Sequence, residues 1–317
     1  MNAIGKSSAI FVTLSGLFWG GWVVGSQTPE GQEAIARAYA AYEEQQAAAS
    51  ANLFDSTALR AIVCGDPDSV QQQPCLAIAA AGRLFIVDAG SGAASSLARR
   101  NIPMDRLSAV LLTDADLPQA ADLSALYGAA THGRGGALLP VYGPAETQRL
   151  VDGLNQAGGY DGASSGLQAW GPSPEPGRSV IVFEADGLVV SAFTTQEDAF
   201  EGRVGYRFDY RGRSIVVGGD GRVATAAAAR DADVVLQSAE TQRSAEITGG
   251  FSAADAAANA QALNTGMVVL TGADNQHAAQ TQVAEARAAG FADVVAGRVG
   301  MLLELPLANS EINVRPL

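Results

Sequence analysis

Lysine and histidine are nearly missing from this chain. Among 317 residues, Lys6 is the single lysine, and His132 and His277 are the two histidines. The formal net charge is −13. A protein that binds a nucleic-acid backbone needs a basic face, and this composition does not provide one. We therefore expect no nucleic-acid partner.

Aromatic residues are also scarce, at 6% of the chain, although 48% of the residues are hydrophobic. The apolar residues are mainly alanine, valine and leucine, which suit tightly packed layers of helix and sheet. A chain of this length can bury a sizeable core in one large domain or two small ones.

Charge is absent from one long stretch near the N-terminus, Ser7 to Thr28. As a helix it would span about 30 Å, the thickness of a bilayer core. Trp19 and Trp22 fit an interfacial aromatic belt, and Lys6 favours a cytoplasmic N-terminus. We predict a membrane anchor. A signal peptide cleaved near Val24–Ser26 is the first alternative, and a buried core helix is the second.

Export of the body follows from either an anchor or a signal peptide. An anchored chain would hold its body in the periplasm on the inner membrane, and a cleaved chain would be secreted. Cys64 and Cys75 are the two cysteines, and an even count in an oxidising compartment favours a disulfide. Two unrelated buried thiols are the alternative.

The patterns divide the chain into three parts: an anchor or signal segment over 1–29, a helical stalk over 30–52 and a globular body over 53–317. Strand-like runs begin the body, and strand–helix alternation fills both of its halves. Hairpin turns are predicted at Ala185–Gly187 and at Arg211-Gly212. Gly158–Arg178 reads as a loop or flap. Two mixed sheets covered by helices are expected.

Four segments of the body resemble the metallo-β-lactamase superfamily, and more narrowly its ribonuclease Z and arylsulfatase-like branch. They are "RLFIVDAGSG", "LSAVLLT", "PVYGPAETQRLVDGL" and "GYRFDYRGRSIVVGGD", and the resemblance runs from about Leu59 to Pro306. It implies an α/β protein with a four-layer αβ/βα sandwich, here following an N-terminal membrane anchor helix. In that family, two zinc ions at one edge activate a bridging hydroxide.

The chain departs from the family at the zinc ligands. The family motif is His-x-His-x-Asp-His, and here Asp114 and Asp116 stand at the first two histidines, Pro118 at the aspartate and Gln119 at the last histidine.

Two further ligand histidines of the family fall on Glu197 and Gly272. The resemblance implies that Asp220 is the retained bridging aspartate and Asp88 a retained structural acid behind the ligand loop.

Zinc needs neutral imidazoles or thiolates, and neither His132 nor His277 falls on a ligand position. No zinc is therefore expected. The predicted function is a non-catalytic binding or scaffolding module of the cell envelope, whose partner is an envelope protein or a small ligand. The alternative is a hydrolase of esters or phosphodiesters that uses Ca²⁺, Mg²⁺ or Mn²⁺ held by carboxylates. These candidate ligands are Asp114, Asp116, Glu197 and Asp220.

Overall fold

The computed structural model describes residues 28–29, 32–33, 36–37, 40–41, 52–66, 74–132, 137–195, 202–219, 227–248 and 250–317. The chain divides into two compact units, Met1–Asn52 and Leu53–Leu317, and each is described by itself. In the first unit, the described residues after Thr28 are helical. The predicted anchor lies outside the described residues, apart from Thr28. None of the helices in the described part of the chain has the length and apolarity that a bilayer crossing requires.

The second unit contains an eight-stranded mixed sheet. In spatial order the strands are β15 (Asn313–Pro316), β14 (Met301–Pro306), β1 (Ala58–Val63), β2 (Leu76–Ala80), β3 (Arg83–Val87), β4 (Leu107–Leu111), β5 (Leu138–Tyr142) and β6 (Gly166–Trp170). Neighbouring strands from β15 to β3 pair antiparallel. Strands β3 to β6 run parallel to one another.

A seven-stranded mixed sheet packs against the first. In spatial order the strands are β13 (Val294–Ala296), β12 (Met267–Thr271), β11 (Val234–Ser238), β10 (Arg213–Val217), β9 (Val204–Tyr210), β8 (Leu188–Thr194) and β7 (Ser179–Ala185). Strands β10 to β13 are parallel, and β7 to β10 form antiparallel pairs.

Helices cover the outer faces of both sheets. The helices are α1 (Ala93–Arg99), α2 (Leu117–Ala120), α3 (Leu123–Thr131), α4 (Thr147–Gly158), α5 (Gln242–Thr248), α6 (Ala253–Ala262) and α7 (Gln276–Ala288). On the first sheet, Leu97 of α1 and Leu126 of α3 belong to the same buried apolar cluster as Ile62 of β1. On the second sheet, α6 and α7 bury small residues such as Ala257 and Ala286.

Side-chain alternation along the strands builds the layers. In β1, Ala61 and Val63 face the second sheet, whereas Ile62 between them faces the helices. Successive side chains of a strand point to opposite faces, so one apolar strand contributes to two cores. The predicted pair of mixed sheets covered by helices is confirmed as a four-layer αβ/βα sandwich.

Both predicted hairpin turns are present. Asp186 and Gly187 have φ of 54° and 82°, and Arg211 and Gly212 have φ of 48° and 88°. Two consecutive positive φ values define the turn whose twist matches that of the flanking strands. Glycine at the second position of each turn accepts this conformation without strain.

The prediction of a loop or flap over Gly158–Arg178 is wrong in part, because β6 lies within it at the edge of the first sheet. This segment forms a strand because its backbone pairs in parallel with β5. The Trp170 ring also stacks on Tyr142, with ring centroids 6.3 Å apart. The turn before β6 is also ordered. Its Asp161 carboxylate accepts bonds from the Ser164 hydroxyl and backbone N–H, which hold the pKa of Asp161 well below its ordinary value.

The predicted disulfide is confirmed. Cys64 follows β1, Cys75 precedes β2, and the two residues are joined. The Cys64 N–H donates to the Cys75 carbonyl at 3.0 Å, and both residues are buried. The disulfide therefore joins the pair of residues next to Val63 and Leu76, the last pair of the β1–β2 ladder.

Replacing both cysteines by alanine should lower the free energy of unfolding. The bridge spans a sequence separation of 11, and opening such a short loop in the unfolded chain costs about 3 kcal/mol of stability. Urea unfolding with and without reductant measures the loss. Wild-type protein should lose stability when reduced, and the double variant should not respond. Two free thiols found by mass spectrometry of full-length protein purified without reductant would contradict the pairing.

Candidate functional site

Strand ends from both sheets meet around a cavity of about 220 Å³. In open α/β sheets, ligand sites form beyond the carboxyl ends of the strands. Here the carboxyl ends of β3, β10, β11 and β12 contribute. Among the lining residues are Asp88, Gln119, Gly219, Ser238, Thr271, Gly272 and Asp274.

Asp88 links the end of β3 to the segment that follows β4. Its residue is buried and has a φ of 58°, an uncommon conformation for a non-glycine residue. The carboxylate accepts the Thr113 N–H and the Thr113 hydroxyl, each at 2.8 Å. The next N–H, from Ala89, donates to the Gln119 carbonyl at 2.6 Å. Asp88 therefore holds the segment after β4 against the end of β3.

Tyr206 supports the segment after β4 through a hydrogen bond. It is fully buried in β9, and its hydroxyl donates to the Leu112 carbonyl at 2.9 Å. Burial, together with the nearby negative charge of Asp88, raises the pKa of Tyr206 well above its ordinary value. The phenol therefore stays protonated and acts as a fixed donor behind the loop that carries Asp114.

The two aspartates after β4 have different surroundings. The Arg203 Nε donates to Asp114 Oδ2 at 2.9 Å, and both side chains are partly buried. Asp116 is exposed at the start of α2, and its carboxylate makes no capping bond to that helix. Within the described ranges, only Asp114 of this pair has a charged partner.

The predicted carboxylate cluster is described only in part, because Glu197 and Asp220 lie outside the described residues. Among the residues that are described, no group of three or more His, Cys, Asp or Glu side chains could hold a metal ion. His132 is exposed at the end of α3, and His277 is exposed in the first turn of α7.

Two glycines sit where strand ends approach closely. Gly272 has a φ of 84°, and a Cβ there would lie 2.5 Å from Ser238 Oγ. Gly219 has a φ of 55°, and a Cβ there would lie 2.5 Å from Thr113 Oγ1. Both the backbone conformation and the neighbouring side chain therefore require glycine.

A second cavity, of about 550 Å³, continues from the first and shares Ser238, Gly272 and Asp274 with it. Its other lining residues include Arg203, Glu240, Thr241, Ser244, Thr248 and Gln282. Together the two cavities are called the edge cleft below.

Several residues of the edge cleft were not found from sequence. Glu240 and Asp274 follow β11 and β12 by two or three residues, and this position after a strand is the signal that identified Asp114. Arg203 precedes β9 and carries no such signal. It reaches the same edge because β9 runs antiparallel to β10.

Solved structures with the same architecture are metallo-β-lactamase fold proteins. The protein YhfI from Bacillus subtilis superposes with a TM-score of 0.62 and 16% identity, covering 78% of this chain and 100% of that one. Human tRNase Z, short form, gives a TM-score of 0.60 and 16% identity, covering 78% and 99%.

One curated relative is similar in sequence, and no family model matches the chain. This relative is the ribonuclease Z of Mycobacterium marinum, 28% identical over 163 residues. The match covers 49% of this chain and 58% of the relative, so it spans somewhat more than half of that protein's length. The chain therefore has the metallo-β-lactamase fold, and in sequence it resembles ribonuclease Z over about half its length.

Proposed function

We infer that this chain is a non-catalytic binding module built on a hydrolase fold. The observation that carries the inference is the Asp114–Arg203 ion pair at the position where related hydrolases hold zinc. A guanidinium is a permanent cation, so it supplies internally the positive charge that a metal supplies to an acidic site. A divalent ion approaching Asp114 would face repulsion from Arg203 and would have to displace it.

The position of Gly272 supports the same inference. The resemblance places a late ligand histidine here, yet the positive φ of Gly272 strains any other residue, and a Cβ would lie 2.5 Å from Ser238 Oγ. The backbone conformation at this position therefore also favours glycine over histidine. What remains at this edge is a cleft walled by hydroxyl, amide and carboxylate groups, which suits ligand binding.

A metal-dependent hydrolase of esters or phosphodiesters is the second candidate. Its supporting observation is Asp88, which the resemblance implies is a structural acid behind the ligand loop and which here accepts two hydrogen bonds from Thr113. Carboxylates could hold a hard cation that activates water. That site would use Asp114, Asp116, Glu197 and Asp220.

Metal analysis separates the two candidates. Full-length protein purified without chelator should contain no stoichiometric metal, and adding Mn²⁺ or Ca²⁺ should not start hydrolysis of bis(p-nitrophenyl) phosphate. The physical reason is the competition of Arg203 for Asp114. Plasma mass spectrometry and the hydrolysis assay give the two readouts. Stoichiometric manganese or calcium, lost together with hydrolysis in Asp220→Ala, would establish the second candidate instead.

Gly272→Ala tests the remodelled backbone. We expect the free energy of unfolding to fall by about 1–3 kcal/mol, because alanine is strained at this φ and contacts Ser238. Gly128→Ala is the matched control. Gly128 lies inside α3 with open space around it, so there the same change should add about 0.5–1 kcal/mol. Equal effects at the two sites, measured by urea unfolding, would refute the assignment of Gly272.

The N-terminal stretch Ser7–Thr28 is proposed to anchor the chain in the membrane, with the body on the exported side. The support is its uncharged, apolar sequence and its length. Full-length protein should stay in the membrane fraction after an alkaline carbonate wash, whereas a chain lacking residues 1–29 should be released. Release of the full-length chain, or a mature N-terminus near Ser26, would favour a cleaved signal peptide.

A further inference from the structure

The larger part of the edge cleft has an imbalance of charge. Glu240 and Asp274 line it, and neither carboxylate has a basic partner among the described residues. Among the described residues, the Glu240 carboxylate accepts the Thr248 hydroxyl, at 3.0 and 3.1 Å. Arg203 is the basic residue in the described lining, and its charge is already balanced by Asp114. The described lining of this cavity therefore carries a net negative charge.

Gln282 adds an independent observation. Its side chain lines the same cavity and is 2% exposed. Its Nε2 donates to the Ala239 carbonyl at 2.7 Å, and since a carbonyl can only accept, this bond fixes the orientation of the amide. The opposite atom, Oε1, has no hydrogen-bond donor in the described part of the chain. A buried acceptor without a donor is costly, so the Gln282 amide favours an occupant of the cavity that can donate to this oxygen.

Glu240, Asp274 and Gln282 favour the same kind of ligand. Two carboxylates without basic partners favour a positive charge, and the Gln282 oxygen favours an N–H or O–H donor. A metal ion fits poorly, because no three potential metal-binding side chains converge among the described residues. A cavity of about 550 Å³ is also far larger than one ion. A flexible organic cation meets both requirements.

We propose that the edge cleft binds an organic cation with several N–H donors, a primary ammonium or a guanidinium, between Glu240, Asp274 and Gln282. The proposal rests on the inferred binding function and names its ligand class. The cation would belong either to a free polyamine or to a lysine or arginine side chain of a partner protein. Polyanions are disfavoured by the same field.

Two probes distinguish the sources of the cation. Spermidine represents the free polyamine, and a fluorescein-labelled peptide with two lysines represents the partner side chain. Each is titrated into full-length protein in mild non-ionic detergent, by calorimetry and by fluorescence anisotropy respectively. We expect saturable binding of at least one probe, which weakens with added salt because the contact is electrostatic. The same peptide with glutamate in place of lysine should not bind.

Variants locate the binding site. Glu240→Gln and Asp274→Asn should each weaken binding by about tenfold, as expected for loss of one charge-assisted contact. Asp105→Asn is the matched control. It removes the same charge from an exposed residue just before β4, at the opposite end of that strand from Asp114, and should leave affinity unchanged. Thermal unfolding of each variant confirms that it is folded.

The proposal is overturned if neither probe binds, or if Asp105→Asn weakens binding as much as the two cleft variants. The first result would leave the non-catalytic function standing, since that inference is tested by metal content and hydrolysis. Binding of metal with hydrolysis would instead remove the function on which the proposal rests.

Discussion

Burial of the two inner sheet faces is the constraint on which the rest of this structure depends. Phe85 of the first sheet packs edge-to-face on Phe208 of the second, with ring centroids 5.9 Å apart, within a continuous apolar layer. Such burial contributes about 25 cal/mol for each Å² of apolar surface. Because this layer fixes how the sheets face each other, it also brings the strand ends that line the edge cleft to one side.

The distribution of charge at that side supports the proposed binding function. The family resemblance implies imidazole ligands at the positions of Asp114 and Gly272. In this structure Arg203 is paired with Asp114, and Gly272 allows the end of β12 to lie close to Ser238. In the neighbouring cavity, Glu240 and Asp274 lack basic partners in the described ranges. We therefore propose that this edge of the fold binds a cation without a metal centre.

Local features predicted a large share of the fold. The hairpin turns at Asp186-Gly187 and Arg211-Gly212 were identified because two adjacent residues, the second a glycine, indicate a turn with positive φ. The disulfide followed from an even cysteine count and an expected oxidising compartment. β6 was missed, since its residues carry no strong strand preference and its pairing with β5 decides the structure. Propensity is a weak guide where tertiary pairing competes with it.

The sequence by itself indicated two mixed sheets covered by helices and the position of Asp114 after a strand, because alternation along a strand and the order of elements are local quantities. The family resemblance added the four-layer arrangement and the expectation that histidine is absent from the ligand positions. Only the tertiary structure decided which residue faces Asp114. Arg203 is 89 positions away along the chain, and it arrives there because an antiparallel strand of the second sheet begins beside the end of β4, as shown by the bond from the Val204 N–H to the Thr113 carbonyl. Contacts between distant segments depend on how the sheets stack, and no local pattern encodes them.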